Sequence, residues 1–337
     1  MSVFRIDKRA VLDRLPGWLT PSAPRPGRGG SPRIAILGHC QGAAIATAMR
    51  LLLPEAEISF ISTHTVLRRF AGQKDLVSAL SDRDVVFGTP FPHGFRAGGD
   101  YAGLREETGL IPYPAIVFSA FHPDAIYVGD VWNPATFVRT PLGDYNSALG
   151  LFGFLKGLSV DETLRLFDEA VYRQLGYLEA WDGAAASLLQ IGRDAGYDLA
   201  ADLVRWSRRG AFMHVINHPR MFVTNDLARG LLRRAGIPFE DCDLDSFAAD
   251  EIARRGAWPV YPPVAARLGI EGGGYAFLKP AEGCRPPATT GLRAFIAESF
   301  RTYQAHDRAR LRSERVEAWL ANPALADDLA RRARSSA

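Results

Sequence analysis

An excess of one charge is the first thing missing. In 337 residues, 40 Lys and Arg stand against 37 Asp and Glu, a formal net charge of +3. So even a balance supplies no bulk field toward nucleic acid or an anionic membrane. Cysteine is scarce. Cys40, Cys242 and Cys284 are too few and odd in number for a disulfide framework, and they suit a reducing compartment. No uninterrupted apolar run approaches the ~18 residues of a membrane span. Arg5, Asp7, Lys8, Arg9, Asp13 and Arg14 interrupt any signal-peptide core near the start. The expectation is a cytoplasmic protein with no membrane span and no nucleic-acid partner. Internal repeats are absent, as is the Walker A pattern.

What is present is ordinary globular composition, 47% hydrophobic and 23% charged. At ~150 residues per domain the length suggests two domains. Residues 20–33, TPSAPRPGRGGSPR, read as a linker. Short apolar runs at 33–38, 57–62, 84–88 and 115–120 read as strands, with helices expected at 41–53 and 67–80. This alternation predicts an α/β fold with a mostly parallel, doubly wound sheet. Beyond about residue 141 the pattern turns helical, over 144–156, 160–180, 184–196, 200–208, 219–234, 292–298 and 314–334. Ser159 and Glu162 have the spacing of a capping box. The expected division is an arm and linker at 1–32, an α/β domain at 33–142 and a largely helical domain at 143–337.

Three polar islands fall at element ends. Gly38-His39-Cys40-Gln41 follows the first strand, where open α/β sheets bind ligands. A helix N-terminus there stabilises a Cys40 thiolate and offers N–H groups to an oxyanion. Gly38-x-Cys40-x-Gly42 matches a nucleophile elbow with Cys for Ser, although that elbow normally follows several strands. The middle glycine of the dinucleotide fingerprint is missing. Phe121-His122-Pro123-Asp124 follows the fourth expected strand, with both polar side chains in a turn. In His214-Val-Ile-Asn217-His218-Pro219 the two histidines stand four apart. Pro219 disfavours helical geometry at His218 and no HExxH glutamate follows, so no metal site is expected. Pro219 as a first helical residue would instead present Asn217 and His218 at a helix N-terminus. His64, His93 and His306, like Cys242 and Cys284, have undistinguished surroundings.

Taken together, Gly38-His39-Cys40-Gln41, Phe121-His122-Pro123-Asp124 with Tyr127, Phe212-Met213-His214 with Asn217-His218-Pro219, and Trp258-Pro259-Val260-Tyr261-Pro262 resemble the WcbI-type polysaccharide biosynthesis family. The resemblance runs from about residue 33 to 279. It implies a bacterial enzyme that binds coenzyme A or acetyl-CoA and acetylates a sugar of a capsular or other surface polysaccharide. The family's first motif usually reads Gly-Asn-Cys-Gln, and here His39 takes the Asn position. A neutral imidazole still donates one hydrogen bond, as the amide would.

Acyl transfer to a hydroxyl needs a base, for which His122, His214 and His218 are candidates, with Asp124 as the residue that orients an imidazole. Cys40 would either carry the acyl group or line the thiol site. Gly38, His39, Gln41 and Asn217 are expected at the cofactor. Arg68, Arg69, Arg208, Arg209 and Arg220 are expected to hold its phosphates. Two other classes remain open: an SGNH-like hydrolase with a cysteine nucleophile, and a non-catalytic CoA- or sugar-binding protein.

Overall fold

The computed structural model describes residues 31–91, 93–130, 133–280 and 288–335. Most of the expected arm and linker, and Cys284, lie outside the described residues. The chain forms two compact units, each discontinuous in sequence. The first comprises 31–115, Ile191–Asp198 and Met221–Ala249; the second comprises Ile116–Gln190, Leu199–Arg220 and Asp250 onward. The division is therefore not a single break after residue 142.

The first unit is built on a four-stranded sheet of β1 (Arg33–Gly38), β2 (Glu57–Ser62), β3 (Val85–Gly88) and β4 (Ile111–Pro112), in the order β2-β1-β3-β4. Every pairing is parallel. The expected doubly wound α/β architecture is what the chain adopts. Central strand β1, RIAILG, is apolar on both faces because both are covered. Ala35 and Leu37 join Val66, Leu76, Leu80 and Leu104 in one core. On the other side Ile36 approaches Gly42 in the helix Cys40–Leu52, which packs against the helix Met221–Arg234.

The expected strand at 115–120 does not form. The fourth strand is β4, whose Ile111 and Pro112 pair with Phe87 and Gly88. Ile116, Phe118 and Ala120 are buried without a strand ladder. An apolar run reports burial, and here the neighbouring segment took the pairing. The helix expected over 67–80 is two helices, Thr63–Arg69 and Gln73–Leu80, divided near Gly72.

The second unit gathers a separate core that includes Val128, Leu149, Phe152, Tyr172, Phe277 and Phe295. Its helices include Ala148–Leu155, Val160–Leu164, Glu169–Gln174, Ala200–Ser207, Pro262–Leu268, Leu292–Gln304, Glu314–Leu320 and Pro323–Arg334. The Ser159–Glu162 capping box forms in both directions, at 2.7 and 3.2 Å. The long helix expected over 314–334 is interrupted at Asn322, which caps the second piece, with Pro323 at its start. Small antiparallel pairs complete the unit. Among them β5 (Ala125–Tyr127) pairs with β6 (Tyr145–Ser147), and β7 (Met213–Val215) pairs with β8 (His218–Pro219). No helix among the described residues is long and apolar enough to cross a membrane.

Candidate active site

In the first unit, the Gly-His-Cys-Gln island sits where β1 hands over to its helix. His39 is the N-cap residue, and Cys40 and Gln41 are the first helical residues. The Cys40 sulfur lies 3.9 Å from His39 Nδ1. Burial, with a smaller contribution from His64, lowers the His39 pKa to about 4. His39 is therefore a neutral imidazole at pH 7, and Gln41 is fully buried. Gly38 and Gly42 have a steric reason to be glycine. A Cβ would come 2.0 Å from the Tyr113 hydroxyl at position 38 and 2.5 Å from it at position 42. That hydroxyl donates to the Leu37 carbonyl at 3.1 Å. The Gly38-x-Cys40-x-Gly42 spacing that matches a nucleophile elbow thus makes room for a buried tyrosine. Arg68 and Arg69 are exposed on the helix Thr63–Arg69, and Arg69 stands over the Phe70 ring.

In the second unit, the His-x-x-Asn-His-Pro island is a hairpin. Its two-residue turn is Ile216–Asn217, Val215 pairs with His218, and the Arg220 amide donates to the Phe212 carbonyl at 2.9 Å. This corrects the expected helix start at Pro219. Pairing holds the chain extended through residue 219, and the helix begins at Met221. Asn217 and His218 are consequently not at a helix N-terminus. The Tyr145 hydroxyl contacts Asn217 Oδ1 at 2.5 Å and His218 Nε2 at 3.2 Å, while Asn217 Nδ2 donates to the Tyr127 hydroxyl at 2.8 Å. The side chain of β7 that meets a carboxylate is His214, whose Nε2 lies 2.7 Å from Asp250 Oδ2. No sequence signal marks Asp250. It is 36 positions away, and it is brought to the hairpin by a loop.

His122 closes the same region. Its amide donates to the Ser119 carbonyl and its carbonyl accepts from the Ala125 amide, so a tight turn fixes it before β5. The side chain is 1% exposed, and among the described residues neither ring nitrogen has a hydrogen-bond partner. Burial, reinforced by nearby His214 and opposed by the Trp258 backbone, lowers its pKa to about 3, so it is neutral at pH 7. Such an imidazole carries one N–H donor and one acceptor, both unspent, which costs free energy unless a ligand or water uses them. His122 and His214 line one cavity of about 660 Å³ together with Arg208, Arg209, Arg220, Trp258 and Glu271. The Trp258 amide donates to the His214 carbonyl at 2.7 Å, which ties that wall to β7.

Asp124 is a different kind of residue from the one expected. It is fully buried and receives the hydroxyls of Ser147, Tyr261 and Tyr177 at 2.6, 2.9 and 3.2 Å and the Leu149 amide at 2.9 Å. None of these partners is an imidazole. Burial outweighs the four donors and lifts its pKa to about 6. Asp124 binds β6, the helix Ala148–Leu155 and the Trp258–Tyr261 segment together, while Asp250 holds the imidazole.

The structure thus gathers five expected residues, His122, His214, Arg208, Arg209 and Arg220, around one cavity of the second unit. It sets Gly38, His39, Cys40, Gln41, Arg68 and Arg69 in the first unit. Among the described residues no cluster of three or more His, Cys, Asp or Glu could hold a metal ion.

A doubly wound parallel sheet with a cysteine at its strand-to-helix turn, joined in one chain to a cavity of histidines and arginines, has the features of an α/β enzyme. The family model for the polysaccharide biosynthesis enzyme WcbI matches residues 33–240, well over half of the chain, and the chain belongs to this family. No curated protein and no solved structure matches it. It is accordingly a polysaccharide biosynthesis enzyme.

Proposed function

We propose that the protein transfers an acetyl group from acetyl-CoA to a sugar hydroxyl during synthesis of a bacterial surface polysaccharide. The observation that carries this reading is the cavity's pairing of chemistries. A carboxylate-oriented imidazole and an unspent neutral imidazole share one space with three guanidinium groups. Arg208, Arg209 and Arg220 are exposed cations suited to the phosphates of the donor, which is a consumed substrate rather than a resident group. Acetyl-CoA supplies an activated acyl group on sulfur.

The chain's residues supply the rest. Asp250 engages His214 Nε2, which leaves Nδ1 to take the proton of the acceptor hydroxyl. Asp250 stabilises the imidazolium that forms. His122, held neutral by burial, donates its N–H to the oxygen that gains charge as the acyl carbon becomes tetrahedral. The acceptor oxygen bonds to the acyl carbon, the carbon–sulfur bond breaks, and the proton leaves His214 for the departing thiolate. Cys40 offers the two-step alternative, in which its sulfur first carries the acyl group. Turnover by Cys40→Ala distinguishes the routes, surviving in the direct one and vanishing in the covalent one.

Calorimetric titration with CoA and acetyl-CoA tests the donor. Wild type should bind both, and the Arg208→Ala/Arg220→Ala pair should bind about tenfold more weakly, as expected for two partly screened charge contacts. Absence of heat from either ligand with wild type would overturn the reading.

A further inference from the structure

A second hollow in the same unit plays no part in the acyl-transfer chemistry. It has a volume of about 480 Å³, and its walls include Phe121, Glu179, Trp181, Asp182 and Arg267. Ser207, Gly210, Leu268 and Ile270 line both this hollow and the arginine cavity, so the two lie side by side. Trp181 is only partly buried. Its ring is steadied edge-on by Phe118 at 5.0 Å and Phe121 at 5.8 Å between centroids. Glu179, Asp182 and Arg267 are exposed, and among the described residues none of the three forms an ion pair.

The two spaces differ in sign. The first sets three guanidiniums against one carboxylate, Glu271. The second sets two carboxylates against one guanidinium, Arg267. A polyphosphate is drawn to the first and repelled by the second. An aromatic platform flanked by acceptors and one forked donor has the complementary chemistry for a neutral polyol. The C–H face of a pyranose packs on the indole, its hydroxyls donate to the carboxylates, and a ring or hydroxyl oxygen accepts from the guanidinium. We propose that this hollow is the acceptor subsite, with Trp181 as platform and Glu179, Asp182 and Arg267 selecting an uncharged sugar. Naming the sugar as acceptor rests on the acyl-transfer reading; the binding of a sugar ring stands on the hollow itself.

Saturation-transfer NMR on the full chain with the methyl glycosides of glucose, galactose and mannose tests the assignment. At least one glycoside should receive saturation from wild type. Trp181→Ala should abolish it. The Glu179→Gln/Asp182→Asn pair, which alters only exposed side chains and leaves the aromatic packing intact, should weaken it by roughly tenfold or more. Calorimetric CoA affinity should stay within about twofold of wild type in both variants. The proposal fails if no glycoside is saturated, or if the Glu179→Gln/Asp182→Asn pair binds like wild type. It also fails if the variants lose CoA instead, which would make the hollow the seat of the nucleotide. If wild type gives no CoA heat but glycoside binding still depends on Trp181, the donor assignment falls and the sugar subsite stands.

Discussion

Gly42 and Tyr113 provide a perturbation whose sign the geometry dictates. A methyl group at position 42 would lie 2.5 Å from the Tyr113 hydroxyl and 3.2 Å from the edge of Phe60. Tyr113 is fully buried and its hydroxyl is tied to Leu37, so it has no path of retreat. Overpacking of this kind costs ~1–3 kcal/mol. The helix preference of Ala over Gly returns ~1 kcal/mol. Gly42→Ala should therefore destabilise by about 1 kcal/mol, within a span of ~0–2. Tyr113→Phe removes one hydrogen bond, but the Leu37 carbonyl still accepts from the Thr89 amide at 3.1 Å. Its cost belongs at the low end of ~0.5–1.5 kcal/mol. In the double variant the methyl occupies space the hydroxyl has left, and the helix preference remains. The pair should then be about 1 kcal/mol more stable than Tyr113→Phe alone, a coupling of about 2 kcal/mol. Urea unfolding of the four proteins, followed by circular dichroism and compared at a common m-value, measures the cycle. Additivity within ~0.5 kcal/mol would refute the claim that Gly42 is glycine because of Tyr113.

Asp250→Asn should lower kcat for acetyl transfer by roughly 10²–10⁴ through loss of the oriented base, with CoA affinity retained in calorimetry; unchanged kcat would remove Asp250 from the mechanism. Asp124 has its folded pKa raised from 3.8 to about 6, so its contribution to stability is full below the unfolded value and is lost as pH rises through about 6. That rise is worth roughly 3 kcal/mol, and across that window stability should shift toward Asp124→Asn relative to wild type by up to this amount. Parallel pH profiles from chemical unfolding would contradict it. With its pKa near 3, His122 should show ring proton shifts that stay flat from about pH 5 to 9, whereas a titration step near 6.5 would place it in water.

How much of this was legible beforehand depended on the range of the interaction. β2 is found over Glu57–Ser62, as its apolar run predicts, and the Ser159 capping box follows from side chains three residues apart. The strand-to-helix position of Cys40 follows from the same local pattern. Pairing across distance was not legible. The run at 115–120 has strand composition, yet the ladder goes to Ile111 and Pro112. Pro219 has the local mark of a helix start, yet the hairpin to Met213 holds it extended. The site divides in the same way. His122 and His214 stood out as chemistry next to prolines or at expected element ends, whereas Asp250 lies in an acidic, featureless stretch and acquires meaning only at 2.7 Å from His214. Trp181 falls between the helices expected at 160–180 and 184–196, and only the hollow beside it gives it a use.

The interleaving of the two units constrains how this enzyme can be made, cut or recombined. The chain passes between them after Ala115, Gln190, Asp198, Arg220 and Ala249. During synthesis the first unit lacks its helix Met221–Arg234 until most of the polypeptide has left the ribosome, so the sheet waits, unfinished, for a late segment. No single cut frees either unit intact, and a gene fusion that exchanged only the N-terminal half would carry away a sheet and its helix Cys40–Leu52 without the helix that packs against Cys40–Leu52. Substrate preference in such a chain can therefore change by side-chain replacement far more readily than by swapping parts.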